Sequence, residues 1–128
     1  MTKEFTVAPK WFDHLVDGNK TVEGRLRKGK FTGFAAGTRA LVRKGGEDGK
    51  DAMHVSIKRV TRYPSFRAML EGEGLRHVLP GVDSVSKGVQ VYRKFYSASD
   101  EREHGVIAMD LGTVKKRRTR LYDRSTDT

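Results

Sequence analysis

Lys20, Glu23 and Arg25 set an ammonium, a carboxylate and a guanidinium within six residues, in the segment Gly18-Asn19-Lys20-Thr21-Val22-Glu23-Gly24-Arg25. Such a group can bind. The two cations suit phosphate or a base carbonyl, and the carboxylate can orient them or accept from a base amino group. It can also react, with Lys20 as charge stabiliser and Glu23 as a base on water. As a plain exposed ion-pair cluster, the same residues would be worth only about 0–1 kcal/mol and have no chemical consequence.

Further candidates lie apart in the chain. Trp11, Phe12, Tyr63, Phe66, Tyr92, Phe95 and Tyr96 have faces on which unpaired bases stack. Trp11, Phe66 and Tyr92 recur at helical core spacing and are expected inside, whereas Tyr63, beside Pro64 at a strand end, is expected to face a cleft. His14, His54, His77 and His104 are scattered without ligand spacing, so no metal and no cofactor is expected. No phosphate-cradling glycine loop, nucleophile elbow or paired-carboxylate constellation is present.

The elements that must position these groups follow from periodicity. Trp11, Phe12, Leu15 and Val16 give Pro9 to Asp17 one apolar helical face, and Gly18 supplies a left-handed stop. Beyond it, period-two alternation puts Thr21, Glu23 and Arg25 on one side of an extended segment and Lys20, Val22, Gly24 and Leu26 on the other. Arg39 to Arg43 and Met53 to Ile57 read as a hairpin around a loop at residues 45–50. Ser65 is a good N-cap for a helix burying Phe66, Met69 and Leu70, which Gly72 and Gly74 stop. Leu75 to Gly81 reads as irregular. Asp83 or Ser84 then caps a helix carrying Val85, Val89, Tyr92 and Tyr96 inward, with Lys87, Arg93 and Lys94 outward, and Gly105 to Leu111 has the continuous apolar character of an interior strand. Short strands with interspersed helices imply an α+β barrel or curled sheet.

With 128 residues the chain has room for one domain and its own core, and its net charge of +10 suits a polyanionic partner. Absence of cysteine excludes disulfides and thiolate metal sites. No run approaches the ~20 apolar residues of a membrane helix, so an intracellular protein of the cytoplasm, nucleus or nucleoid is expected, with no membrane partner. Residues 1–112 read as the domain and 113–128 as a basic tail expected to be disordered. The tail carries +4, with Lys115, Lys116, Arg117 and Arg118 as candidate phosphate contacts.

Taken in order, Gly18-x-Lys20-x-x-Glu23-x-Arg25, Tyr63-x-Ser65-Phe66, Leu79-Pro80-Gly81, Tyr92-x-x-Phe95-Tyr96 and the closing apolar strand resemble the ASCH domain, a member of the PUA-like superfold. The likeness runs from about Pro9 to Leu111. It implies a small β-barrel flanked by short helices, with a nucleic-acid-binding cleft beside the Lys20 segment. RNA or another single strand is expected there ahead of DNA, contacted by Lys20, Glu23, Arg25, Arg27, Arg62 and Tyr63.

One branch of the family resembles acetylcytidine amidohydrolases, which combine a lysine, a threonine three residues on and a distant glutamate. Lys20 matches, and the distant position falls near Glu71 or Glu73, but Glu23 occupies the threonine position and so removes the hydroxyl nucleophile. The resemblance thus leaves as alternatives a hydrolase of RNA or of a modified nucleoside, with Lys20 and Glu23 catalytic, and a protein-interaction adaptor.

Overall fold

Pro9 opens and Gly18 closes the first helix, as the sequence requires. In this computed structural model, which describes residues 3–46, 50–112 and 118–120 (the last three by backbone alone), helix α1 spans Pro9–Asp17, with Phe12 and Leu15 fully buried. Gly18 ends it at φ 83°, a conformation that costs glycine little.

The strands divide between two sheets. One has the order β1 (Lys3–Val7), β3 (Arg39–Lys44), β4 (Asp51–Ser56), β7 (Arg118–Arg120), and the other β2 (Val22–Leu26), β6 (Val106–Asp110), β5 (Arg59–Tyr63). In the first sheet β1 runs parallel to β3, while β3–β4 is the expected hairpin, with Ala40 opposite Val55 and Val42 opposite Met53. In the second, β6 lies between two antiparallel partners, the interior place its apolar run implies. Together with the helices this is a mixed α+β architecture, and no strand ladder joins the two sheets among the described residues.

Two apolar clusters follow from the alternation of β6. Ile107, Met109 and Leu111 join Phe5, Val42, Met53 and α1 between the sheets, whereas Val106 and Ala108 join Val22, Leu26 and the helices on the far side. Trp11 packs against both clusters, at their seam.

The helices beyond β5 are α2 (Phe66–Glu73), α3 (Leu75–Val78), α4 (Val85–Arg93) and α5 (Ala98–His104). Ser65 caps α2 by accepting from Ala68 N–H at 3.0 Å, and Ser84 caps α4 by accepting from Lys87 N–H. Four expectations need correction. Gly72 lies inside α2, which Gly74 alone ends; it is glycine for space, since a Cβ there would fall 2.7 Å from the Tyr63 ring. Leu75 to Val78 is a helical turn, not irregular chain. Arg93 is not an outward solvent charge: its Nη2 donates at 2.7 Å to buried Glu101 of α5, a helix that periodicity did not disclose because only Glu101 of its seven residues is buried. Glu101 also accepts from Phe66 N–H at 2.6 Å, tying the start of α2 to α4 and α5. Finally, Arg118–Arg120 departs from the expected disordered tail, because main-chain pairing with Asp51–Met53 needs no apolar side chains. Lys115, Lys116 and Arg117 lie outside the described residues, as does the Arg118 side chain. No described helix is long and apolar enough to cross a membrane.

Candidate functional site

Strand β2 carries Glu23 and Arg25 on one face, and alternation makes them neighbours: Arg25 Nε donates to Glu23 Oε2 at 2.7 Å. Lys20 joins them from an unexpected side. It precedes the strand, in a turn fixed by Lys20 N–H donating to His14 C=O and Thr21 N–H to His77 C=O, so the period-two rule does not yet govern its side chain. The ammonium turns inward, 3.2 Å from Glu23 Oε1, and Lys20 is 1% exposed.

Every proton of that ammonium has an acceptor. Besides Glu23, Nζ donates to Val22 C=O at 2.7 Å and to Val78 C=O, a last-turn carbonyl of α3. The guanidinium of Arg25 lies over both the Phe5 and Phe31 rings, 5.2 and 5.0 Å from their centroids, and Nη2 donates to Thr6 C=O at 2.6 Å. Burial pushes the Glu23 carboxyl up, but Lys20 and Arg25 together outweigh it and hold it below the usual carboxylate range. Burial likewise pulls Lys20 down, and Glu23 offsets this in part; three oxygen acceptors around Nζ are satisfied only by the charged ammonium. The triad is therefore fixed, ionised and net positive by one charge.

It forms the floor of a cavity of about 460 Å³. Trp11 stands on one side, with Lys20 Nζ 5.7 Å from its ring centroid, and Tyr92 and Tyr96 stand on another, both stacked on Phe66. Leu79 and the Gly45–Gly46 turn complete the wall, and Phe95, 74% exposed, is at the mouth. Gly24 is needed at the floor: a Cβ there would fall 2.4 Å from Met69 Cε and 3.0 Å from Tyr92 Oη.

A cavity at the Gly-x-Lys-x-x-Glu-x-Arg segment, entered between α1 and the Tyr92-x-x-Phe95-Tyr96 helix end, agrees with the match of residues 5–115 to the ASCH domain. The chain belongs to the ASCH domain family. Among solved structures it is similar to the crystal structure of hypothetical protein PH0355, at 35% identity and TM-score 0.77 over 89% of this chain and 100% of that one. Protein PF0455 from Pyrococcus furiosus, solved by NMR, is 36% identical with TM-score 0.70 over 90% and 99% of the two chains. The ASCH protein of Zymomonas mobilis, at 15% identity, 97% and 90% coverage and TM-score 0.57, shares the fold. No curated protein matches the chain.

Of the residues the ASCH resemblance nominated, the cavity gathers Lys20, Glu23 and Arg25 and leaves out the other three. Arg27 and Arg62 line a separate groove with Phe31 and Lys58. Tyr63 faces α2, not the cavity: its hydroxyl donates to Glu73 Oε2 at 2.5 Å, and burial together with that bond pushes the phenol up to about 12. Glu73 is further held by Arg59, at 2.9 Å, while Glu71 is exposed; neither lines the cavity. Trp11 and Tyr92, expected in the core, both reach the cavity wall. The sequence signal for Tyr92, Phe95 and Tyr96 was their aromatic cluster, but nothing local tied it to Lys20. Asp100, Glu103 and His104 bring ligand atoms within 4.8 Å of one another at the surface of α5, an acidic grouping common without an ion.

Proposed function

We propose that this ASCH domain is a nucleic-acid-binding module, for RNA ahead of DNA, whose cavity takes an unpaired base. The observation that carries this reading is the net-positive buried triad on the floor of an aromatic-walled cavity of about 460 Å³, within the size range of small-ligand pockets. Aromatic walls suit the faces of a splayed-out base, and the net positive charge of the triad, with Arg25 as its part-exposed member, suits its carbonyl or phosphate oxygens. The same reading takes the two sheets as the PUA-like small barrel that the family resemblance implies. Residues 1–112 are then the module, and the basic segment 113–128, which lends β7 to the first sheet, adds phosphate contacts through Lys115, Lys116, Arg117 and Arg118.

Binding is favoured over hydrolysis because the triad has no spare proton chemistry. Lys20 Nζ is committed to three acceptors, and Glu23, flanked by two cations, is a weak base.

Titration of labelled single-stranded RNA against wild type and Phe95→Ala tests this. Phe95 is exposed, so its loss leaves the fold intact, and affinity should fall by the ~1–3 kcal/mol of a base–aromatic stack. Equal affinity in the two proteins, or cleavage of the RNA, would count against a binding cavity of this kind.

A further inference from the structure

Arg27, Lys58 and Arg62 meet in a groove that the Lys20 cavity does not include. Its floor is apolar, with Phe31, Phe34, Val60 and Ile107, and its rim is cationic. Among the described residues no acidic side chain pairs with Arg27, Lys58 or Arg62; the fourth cation there, Arg59, is held by Glu73 and Asp110. Three uncompensated positive charges on one concave surface raise the local potential and draw in a polyanion.

The groove abuts the cavity at Arg25 and Phe31. Arg25 lines the cavity and Phe31 the groove, and the Arg25 guanidinium lies on the Phe31 ring. Sheet register adds direction: Arg25 of β2, Ile107 of β6 and Arg62 of β5 are aligned across neighbouring strands and share a face. Arg25 and Arg62 are thus two strand spacings apart at their backbones, about 10 Å. A strand whose base sits above Arg25 is therefore close enough to Arg62 for a neighbouring phosphate to reach it.

We infer that this groove is the phosphate track of a single-stranded RNA, gripping the backbone on the far side of the Arg25–Phe31 partition while one base occupies the cavity. The inference rests on the cavity reading for the strand's position, but the groove can be tested separately. It predicts a division of labour in which the cavity recognises a nucleotide and the groove supplies the salt-dependent affinity for a polymer.

The test compares wild type with a triple variant, Arg27→Gln, Lys58→Gln and Arg62→Gln, in the full chain. Each is titrated with the ribonucleoside 5′-monophosphates and with a mixed-sequence single-stranded RNA of about 12 nucleotides at several salt concentrations. Circular dichroism confirms the fold of the variant, and an Arg27→Lys, Arg62→Lys double variant checks that charge is the operative property. Neutralising three phosphate contacts should make the slope of log affinity against log salt shallower by about 2, at about 0.7 per contact on a single strand. Mononucleotide binding should not change, and the lysine variant should keep the wild-type slope. An unchanged slope in the triple variant overturns the phosphate track. Loss of slope with no mononucleotide binding by wild type supports the track and sinks the cavity reading instead. Failure of wild type to bind the oligonucleotide overturns both.

Discussion

Lys20 shows how burial converts a common surface residue into a fixed part of a site. A lysine with all three protons satisfied inside the protein cannot be removed without leaving Val22 C=O and Val78 C=O without donors and the triad's charges rebalanced. Lys20→Met is therefore expected to cost about 3–5 kcal/mol in a denaturant titration, the range for breaking a buried ionic group from one side. A loss under 1 kcal/mol would mean the triad contributes no such constraint. Gly24 is restricted in a different way, by space. Gly24→Ala should destabilise by about 1–3 kcal/mol through displacement of Met69 and the Tyr92 hydroxyl, measured in the same titration. The pair Glu23–Arg25 was legible from alternation alone, but the approach of Lys20 was not, because a residue before the first ladder bond is outside the period-two rule.

Helix α2 is held at both ends by carboxylates from elsewhere in the fold or from its own last turn. Glu101 of α5 accepts from Phe66 N–H at its start, and Glu73 at its end ties Arg59 and Tyr63 of β5. Bonding from Arg59, opposed by burial and aided by Tyr63, holds Glu73 below the ordinary carboxylate range. Its folded pKa is thus lower than its unfolded one, so its contribution is complete above the unfolded value near 4.5 and is lost as pH falls through the depressed value. Glu73→Gln should flatten the acid limb of a stability-against-pH curve; an unaltered limb would contradict the pairing. The same variant should bring the Tyr63 phenol below about 12 in an ultraviolet titration, since part of its upward push comes from Glu73. Element identity was readable at α1, α2 and α4, where caps and apolar spacing agree. It was not readable at α5, where Ser97 accepting from Asp100 N–H was the sole local mark of a helix that buries one charged residue.

At the scale of the molecule, the two apolar clusters meet at Trp11, and the cavity opens along the same seam. A ligand there touches parts that pack on different faces of the second sheet, so occupancy should tighten the whole fold. Saturating single-stranded RNA is expected to raise the midpoint of thermal unfolding, by about 2.7 kcal/mol in stability at one hundred times Kd. No shift at concentrations where the RNA is bound would mean that the RNA binds the unfolded chain as well as the folded one, and would count against a site built by the fold.

The sequence by itself determined the local periodic facts: α1 and its Gly18 stop, the β3–β4 hairpin, the capped starts of α2 and α4, the interior character of β6 and the Glu23–Arg25 pairing. Each depends on spacing or capping within a few residues, which a chain displays before it folds. The tertiary structure alone decided that Lys20 points inward, that Tyr63 turns to Glu73, that Arg27 and Arg62 share a groove apart from the cavity, and that Tyr92, Phe95 and Tyr96 stand beside β2. These outcomes join residues up to some seventy positions apart through two sheets and a helix bundle, as Glu23 and Tyr92 are joined in one cavity wall. No local pattern encodes such distances; only the packing of the clusters on the two faces of the second sheet fixes them.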